Sequence, residues 1–260
     1  MTGSSPEENP DDNQFPTEQG VAAGTDAQEQ AVALADVVAV QEISSEEALE
    51  ELASKMEGWE SVFTPSPTEY NMSLGYLVKM TEVELIEEES QVWFDDDEDD
   101  EYYFPRAPFV IKVRHRDSGV ETLMVNLHLK AMGDSESVGR RRVASNMLQE
   151  YLGEYYPDDH VIILGDFNDE LEEEKAEDDV FSNFTDDESY KFTDMHIARG
   201  DEEHYSYPDP DWTSHIDHIL MTDEWFDHYD TSMTLRPDEC FDGYFDYISD
   251  HRPVVAVFDF

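Results

Sequence analysis

The run Val161-Ile-Ile-Leu164 leads directly into Gly165-Asp166-Phe167-Asn168-Asp169, and this junction constrains the fold more than any other stretch of the chain. Four consecutive β-branched and aliphatic residues read as a strand buried on both faces, which demands packed layers above and below it. Ending that strand in Gly-Asp-x-Asn delivers two oxygen-rich side chains to a sheet edge, with the glycine permitting a tight turn or a close backbone approach. A second junction has the same character. Ile248-Ser-Asp250-His251-Arg-Pro253 opens the run Val254-Val-Ala-Val-Phe258, so a carboxylate and a titratable base stand at the head of a strand. These are parts of a metal-assisted hydrolase, and only folding brings them together.

The remaining patterning supplies the layers. Ala35–Val40 reads as a buried strand ending in Gln41-Glu42, followed by an amphipathic helix over Glu46–Met56 capped by Ser44 or Ser45. Strands are expected at 74–79 and 81–86, and 109–114 with 122–128 form a hairpin turned at Asp117-Ser-Gly119. A helix follows over Arg140–Tyr151. Thr213–Leu220 reads as one strand carrying Asp217 among apolar neighbours, where an unpaired charge is costly and a partner is required. Thr25 or Asp26 caps a short helix reaching Leu34, 87–101 is a solvated acidic loop, and 170–190 is irregular. Many strands among few helices predict an α+β sandwich. Residues 1–25 form a disordered acidic segment and residues 26–260 a single domain.

The acids pose the next question. Asp and Glu number 65 against 15 Lys and Arg, a formal charge of −50, yet 39% of the residues are hydrophobic. That much apolar content belongs to a folded chain with a carboxylate-coated surface, and the acids are spread along the sequence rather than gathered in a tail. Molar salt shrinks the Debye length to about 3 Å and screens such self-repulsion. The composition is therefore that of a halophilic, archaeal-like protein, and the charge reports habitat rather than activity. The lone Cys240 excludes an internal disulfide and a cysteine zinc site. No apolar run is long enough for a membrane span, and no signal peptide is visible, so a cytoplasmic monomer is expected, secreted only if the true start lies upstream. One basic cluster, Arg140-Arg-Arg142, stands out.

Read singly, the polar strand-end residues are unremarkable in chemistry: Glu42 as a solvated edge, His128 as a satisfied structural histidine, Arg106 as a surface arginine. Read in order they are not. Val40-Gln41-Glu42, Asn126-Leu-His128, Gly165-Asp166-Phe-Asn168-Asp169, Ile216-Asp217-His-Ile219 and Ser249-Asp250-His251-Arg-Pro253 together resemble the endonuclease/exonuclease/phosphatase superfamily, from about residue 30 to the C-terminus. The resemblance implies a deoxyribonuclease-like four-layer α/β/β/α sandwich with its site at one edge of two sheets. It implies Mg²⁺ or Mn²⁺ held by Glu42 and Asp250. It further implies His128 at the scissile phosphate, Asp166 orienting water, Asn168 and Arg106 on phosphate, and His251 held by Asp217 as the proton-transfer group. The substrate implied is a nucleic acid, DNA before RNA, with a phosphomonoester or a lipid or inositol phosphate as the alternative. One departure stands against the pattern: the family opens with a strand carrying an Asn that helps ligate the metal, and nothing before Ala31 reads as that strand. A catalytically impaired relic that binds a partner is the reading this gap supports.

Overall fold

Strands outnumber helices in the computed structural model, which describes residues 35–67, 72–86, 89–95, 98–171 and 179–260. The chain begins β1 (Val37–Ile43), α1 (Glu46–Ser54), β2 (Trp59–Phe63), β3 (Ser73–Lys79), β4 (Val83–Leu85), β5 (Gln91–Val92) and α2 (Glu98–Tyr103). The middle is β6 (Phe109–His115), β7 (Glu121–His128), α3 (Ser135–Tyr155), β8 (Val161–Asp166), α4 (Ser182–Thr185), β9 (Tyr190–Phe192) and α5 (Met195–Ala198). It ends β10 (Tyr207–Asp209), β11 (Trp212–Ser214), β12 (Asp217–Thr222), β13 (Tyr229–Thr234), α6 (Tyr244–Tyr247) and β14 (Val254–Phe258).

The larger sheet runs β4-β6-β7-β8-β12-β9, with β5 also on β6. Its one parallel pair, β7 with β8, needs a crossover, and α3 supplies it. Asp134 caps α3 by accepting from the backbone N–H groups of Glu136 and Ser137, and buried Arg141, Ala144, Ser145, Leu148 and Leu152 line one stripe of the helix. That stripe packs on Val110, Leu123, Val125, Val161 and Ile163 of the sheet. The opposite face, from Ile111, Val113, Met124, Ile162 and Ile219, meets Leu74, Tyr76 and Val78 of a second layer. That layer holds β1-β3-β2 and the separate pair β13-β14. Leu49, Ala53 and Met56 then cover the outer face of β1-β3-β2. The result is an α+β sandwich, layered α/β/β/α as the family resemblance implied.

Five expectations need correction. The acidic stretch 87–101 is no solvated loop: β5 and the start of α2 lie within it, and Trp93 is buried to 2% exposure against Tyr151 and Tyr156. Likewise Leu171, Val180, Phe181 and Phe184 from the supposedly irregular 170–190 belong to the core. Acidic neighbours masked these apolar anchors in both places. The strand expected over Thr213–Leu220 is interrupted at His215-Ile216, so Asp217 heads β12 rather than sitting inside a strand. Asp250 and His251 precede β14 instead of opening it, because Arg252 turns away to bond Asp238 and Pro253 follows. Helix α3 starts at Ser135, five residues early, because its cap is Asp134. The helix expected before Leu34 and the segment 1–25 fall outside the described residues.

The second layer is not continuous. Among the described residues β1 pairs only with β3 and β14 only with β13, and a cavity of about 560 Å³ runs between Val37–Val40 and Val254–Phe258. No described strand lies between them, and the segment before Ala31, where the sequence shows no such strand, lies outside the described residues. No helix among the described residues is long and apolar enough to cross a membrane.

Candidate active site

Three neighbouring strands bring three polar residues to one level. In the parallel β7–β8 ladder His128 pairs with Asp166, and in the antiparallel β8–β12 ladder Asp166 pairs with Asp217. Side chains alternate across a strand, so residues paired in register share a face. The row His128–Asp166–Asp217 is thus set by the backbone. Its close spacing depends on Gly165, whose φ is +135° and where a Cβ atom would lie 2.1 Å from the Leu127 carbonyl oxygen. Only glycine tolerates both conditions.

His251 completes the row. Its Nδ1 lies 2.7 Å from Asp217 Oδ2, and its backbone N–H donates to Ser249 Oγ at 3.0 Å. Asp217 has found the partner its position required. Burial opposes charge on the His251 ring, but the Asp217 hydrogen bond and the carboxylates of Asp217, Asp166 and Asp250 outweigh it and push the imidazole up to about 9. Asp166 is pushed up to about 7, first by burial and then by the charge of Asp217. His128, 3% exposed, goes the other way: burial and then the charges of Arg106 and His251 hold it down at about 3, so it is neutral. Its Nε2 stands 3.4 Å from Asp166 Oδ2 and 3.9 Å from Glu42 Oε1, while its Nδ1 is buried without a hydrogen-bond partner.

Glu42 reaches this point because β1 bulges between Val40 and Ile43 and the Glu42 backbone is left-handed, φ 57°. Asn126, fully buried on β7, pins the bulge: its Oδ1 accepts from Gln41 Nε2 at 2.8 Å, and its Nδ2 donates to the carbonyls of Val40 and Gly75. Asn168, also left-handed, bonds Asp166 twice, through its backbone N–H at 2.8 Å and its Nδ2 at 3.1 Å, and its Nδ2 also donates to the Leu129 carbonyl. Its amide therefore locks Asp166 to the loop leaving His128. Arg106 donates to that same Leu129 carbonyl at 3.3 Å. Burial lowers the pKa of its guanidinium, and the charges of Asp166 and Glu42 oppose that shift. Asp250 is exposed beside His251 and Tyr207, and its charge raises the pKa of both. Glu42, Arg106, His128, Asp166, Asn168, Asp217, Asp250 and His251 thus each lie at this edge or act on a group that does.

A divalent cation fits this edge by the kind of donor it offers. Glu42 and Asp166 act on the Arg106 guanidinium, and Asp217, Asp166 and Asp250 on the His251 ring, although among the described residues no three of these carboxylates bring ligand atoms within 4.8 Å of one another. Hard oxygen ligands of this kind suit Mg²⁺ or Mn²⁺.

Sequence reading missed a second polar cluster behind the row. Asp194, His215 and His218 are fully buried, with ligand-capable atoms within 4.8 Å of one another. Hydrogen bonds account for each atom without a metal. His218 Nδ1 donates to Asp194 Oδ2 at 2.6 Å and its Nε2 to the Asp169 carbonyl at 3.0 Å, so both ring nitrogens carry protons and the ring is an imidazolium. His215 Nε2 donates to the same Asp194 oxygen at 2.9 Å while its Nδ1 accepts from the Ser206 N–H, the neutral tautomer. Asp194 Oδ1 accepts from the Ile219 N–H. The group is a buried ion pair that clamps β12. The basic cluster also changes meaning: Arg141 is 2% exposed and bound to Asp169 at 2.8 Å, so it clamps a loop rather than gathering phosphates.

Comparisons with known proteins bear on the family and the fold. The family model described as "Endonuclease/Exonuclease/phosphatase family" matches residues 15–251, starting earlier than the resemblance noted from about residue 30. Solved structures with the same fold include TDP2 of D. rerio complexed with a single-strand DNA product, 15% identical, covering 93% of each chain at a TM-score of 0.66. A mannosyl-6-phosphatase of Bacteroides thetaiotaomicron is 16% identical, covering 93% of this chain and 91% of its own, TM-score 0.66. The human Nocturnin catalytic domain is also 16% identical, covering 92% and 86%, TM-score 0.66. A search of curated proteins finds no match.

Proposed function

The chain belongs to the endonuclease/exonuclease/phosphatase family of phosphoester hydrolases, and on that premise we propose that it is a Mg²⁺- or Mn²⁺-dependent nuclease hydrolysing phosphodiester bonds, in DNA before RNA. The observation that carries the reading is the 2.7 Å contact of His251 with Asp217, set in one row with Asp166 and His128. Glu42 and Asp250 would hold the cation, which when bound would supply charge neutralisation for the phosphoryl oxygens. Asp217 fixes the His251 tautomer, leaving Nε2 to exchange a proton with the reacting oxygens. Asp166, tied by Asn168, orients the attacking water, and the neutral His128 offers a hydrogen bond without adding charge. Arg106, held by the Leu129 carbonyl within reach of the charges of Asp166 and Glu42, would meet a phosphate oxygen. Asn168 acts here through Asp166, since its amide is already engaged twice.

The test is a substrate panel in molar KCl with Mg²⁺ or with EDTA: plasmid, single-stranded oligonucleotide, an inositol phosphate and a sugar phosphate. Metal-dependent cleavage of the DNA substrates is expected to dominate. Turnover confined to the monoesters would move the protein to the phosphatases, and no turnover with any substrate would favour the relic.

A further inference from the structure

The hairpin β10–β11 stands over the site. Its first strand sets the Tyr207 ring 4.9 Å, centroid to centroid, from the His251 imidazole. At its turn, opposite Asp209, Trp212 is 70% exposed. The six-membered ring of the indole overhangs Gly133, where a Cβ atom would meet it at 3.8 Å. Gly133 belongs to the loop leaving His128, and its neighbour Met132 is 69% exposed with a left-handed backbone, φ 87°.

Both large apolar side chains are held in water by a braced backbone. Asp209 Oδ1 accepts from the N–H groups of Asp211 and Trp212 at 2.8 and 3.1 Å, and Thr213 Oγ1 donates to the Asp209 carbonyl at 2.8 Å. On the other side, buried Arg141 donates from Nη1 to the carbonyls of Lys130 and Met132 at 2.6 and 2.8 Å. An exposed indole lying against Gly133, the residue next to the exposed Met132, at the mouth of a polar site is surface waiting to be covered. The electrostatics say by what means. On a chain of formal charge −50 a polyanion is not gathered by Coulomb attraction, and Arg141 is buried while Arg140 lies over the Tyr102 ring. Stacking on an aromatic face is indifferent to net charge and survives molar salt.

We propose that Trp212, flanked by Met132, is the platform on which a base of single-stranded nucleic acid stacks beside the scissile phosphate. This deepens the phosphoesterase reading above and rests on it for the chemistry, while the platform itself is read from the hairpin.

The experiment compares wild type, Trp212→Ala and Trp212→Phe in the full chain, in molar KCl with Mg²⁺, on a single-stranded octathymidylate. Trp212→Ala is expected to raise KM about tenfold or more with kcat changed less than about twofold, and Trp212→Phe to stay near wild type. KM should move little between 1 and 3 M salt, on the order of twofold. In parallel, tryptophan fluorescence is titrated with a phosphorothioate octamer; a saturable change in wild type should vanish in Trp212→Phe. An unchanged KM in Trp212→Ala overturns the platform, and a KM rise seen with a sugar phosphate but not with DNA overturns its assignment to bases. If wild type hydrolyses no phosphate ester, the phosphoesterase reading has failed by itself. The fluorescence titration then decides alone: a change lost in Trp212→Phe upholds the platform, and no change in wild type rejects it.

Discussion

Gly165 carries more of the site than its size suggests. Its φ of +135° and the 2.1 Å approach to the Leu127 carbonyl allow β7 and β8 to set His128 against Asp166. Gly165→Ala should therefore destabilise the fold by about 2 kcal/mol or more, through backbone strain and a forced separation of the two strands. Chemical denaturation measures it, and a loss under about 0.5 kcal/mol would show that the approach is not needed. This residue was half legible in the sequence. Gly-Asp-x-Asn announced a tight turn or a close approach, but which strand would press on it was not written locally. The Asp217–His251 pair was legible from motif order and from the cost of an unpaired carboxylate. Arg141 was not, because an arginine beside two others gives no sign that it alone faces inward to Asp169. Trp212 was missed too, since Pro208-Asp-Pro210-Asp hides a three-residue strand on either side.

At the scale of elements, β12 is the strand whose position decides the site, and the Asp194–His218 ion pair behind it holds it there. Burial opposes the charge of both groups. The two imidazoles nonetheless hold Asp194 well below its usual 3.8, and Asp194 holds His218 above 6.5. The signs follow. His218 has a raised folded pKa, so its contribution is full below about pH 6.5 and fades as pH climbs through the folded value. Asp194 has a depressed one, so its contribution is present above about pH 3.8 and is lost on acidification through the folded value. Asp194→Asn removes one partner of a buried pair and should cost about 3–5 kcal/mol near pH 5–6, with a smaller difference from wild type in strong alkali. Thermal melts across pH test this; a cost that does not vary with pH would mean that His218 carries no proton. The cluster escaped sequence reading because His218 lies on β12, His215 in the break before it and Asp194 in the turn before α5, with no spacing that ties Asp194 to the histidines. Long strands such as β7 and β8 were plain from their apolar runs. The short β9, β10 and β13 were not, since three-residue and half-exposed strands leave almost no period to detect.

At the scale of the molecule, the surface of a chain with 65 acids and 15 bases repels itself. Raising KCl from about 0.2 to 2 M should lift the unfolding midpoint by roughly 10 °C or more, as screening removes that repulsion. A midpoint indifferent to salt would mean that the carboxylates are neutralised within the fold. Composition announced this charge and the family resemblance implied the four layers, yet the cleft between β1 and β14 shows only once both sheets are built. The central claim concerns the row at the sheet edge, and one measurement tests it most directly. Metal-dependent phosphodiesterase turnover of His251→Ala is compared with wild type in molar KCl, alongside the thermal midpoint of each. The account predicts a fall of about 10²- to 10⁴-fold in turnover with the midpoint held within roughly 2 °C. Turnover within about threefold of wild type from a folded variant would contradict it.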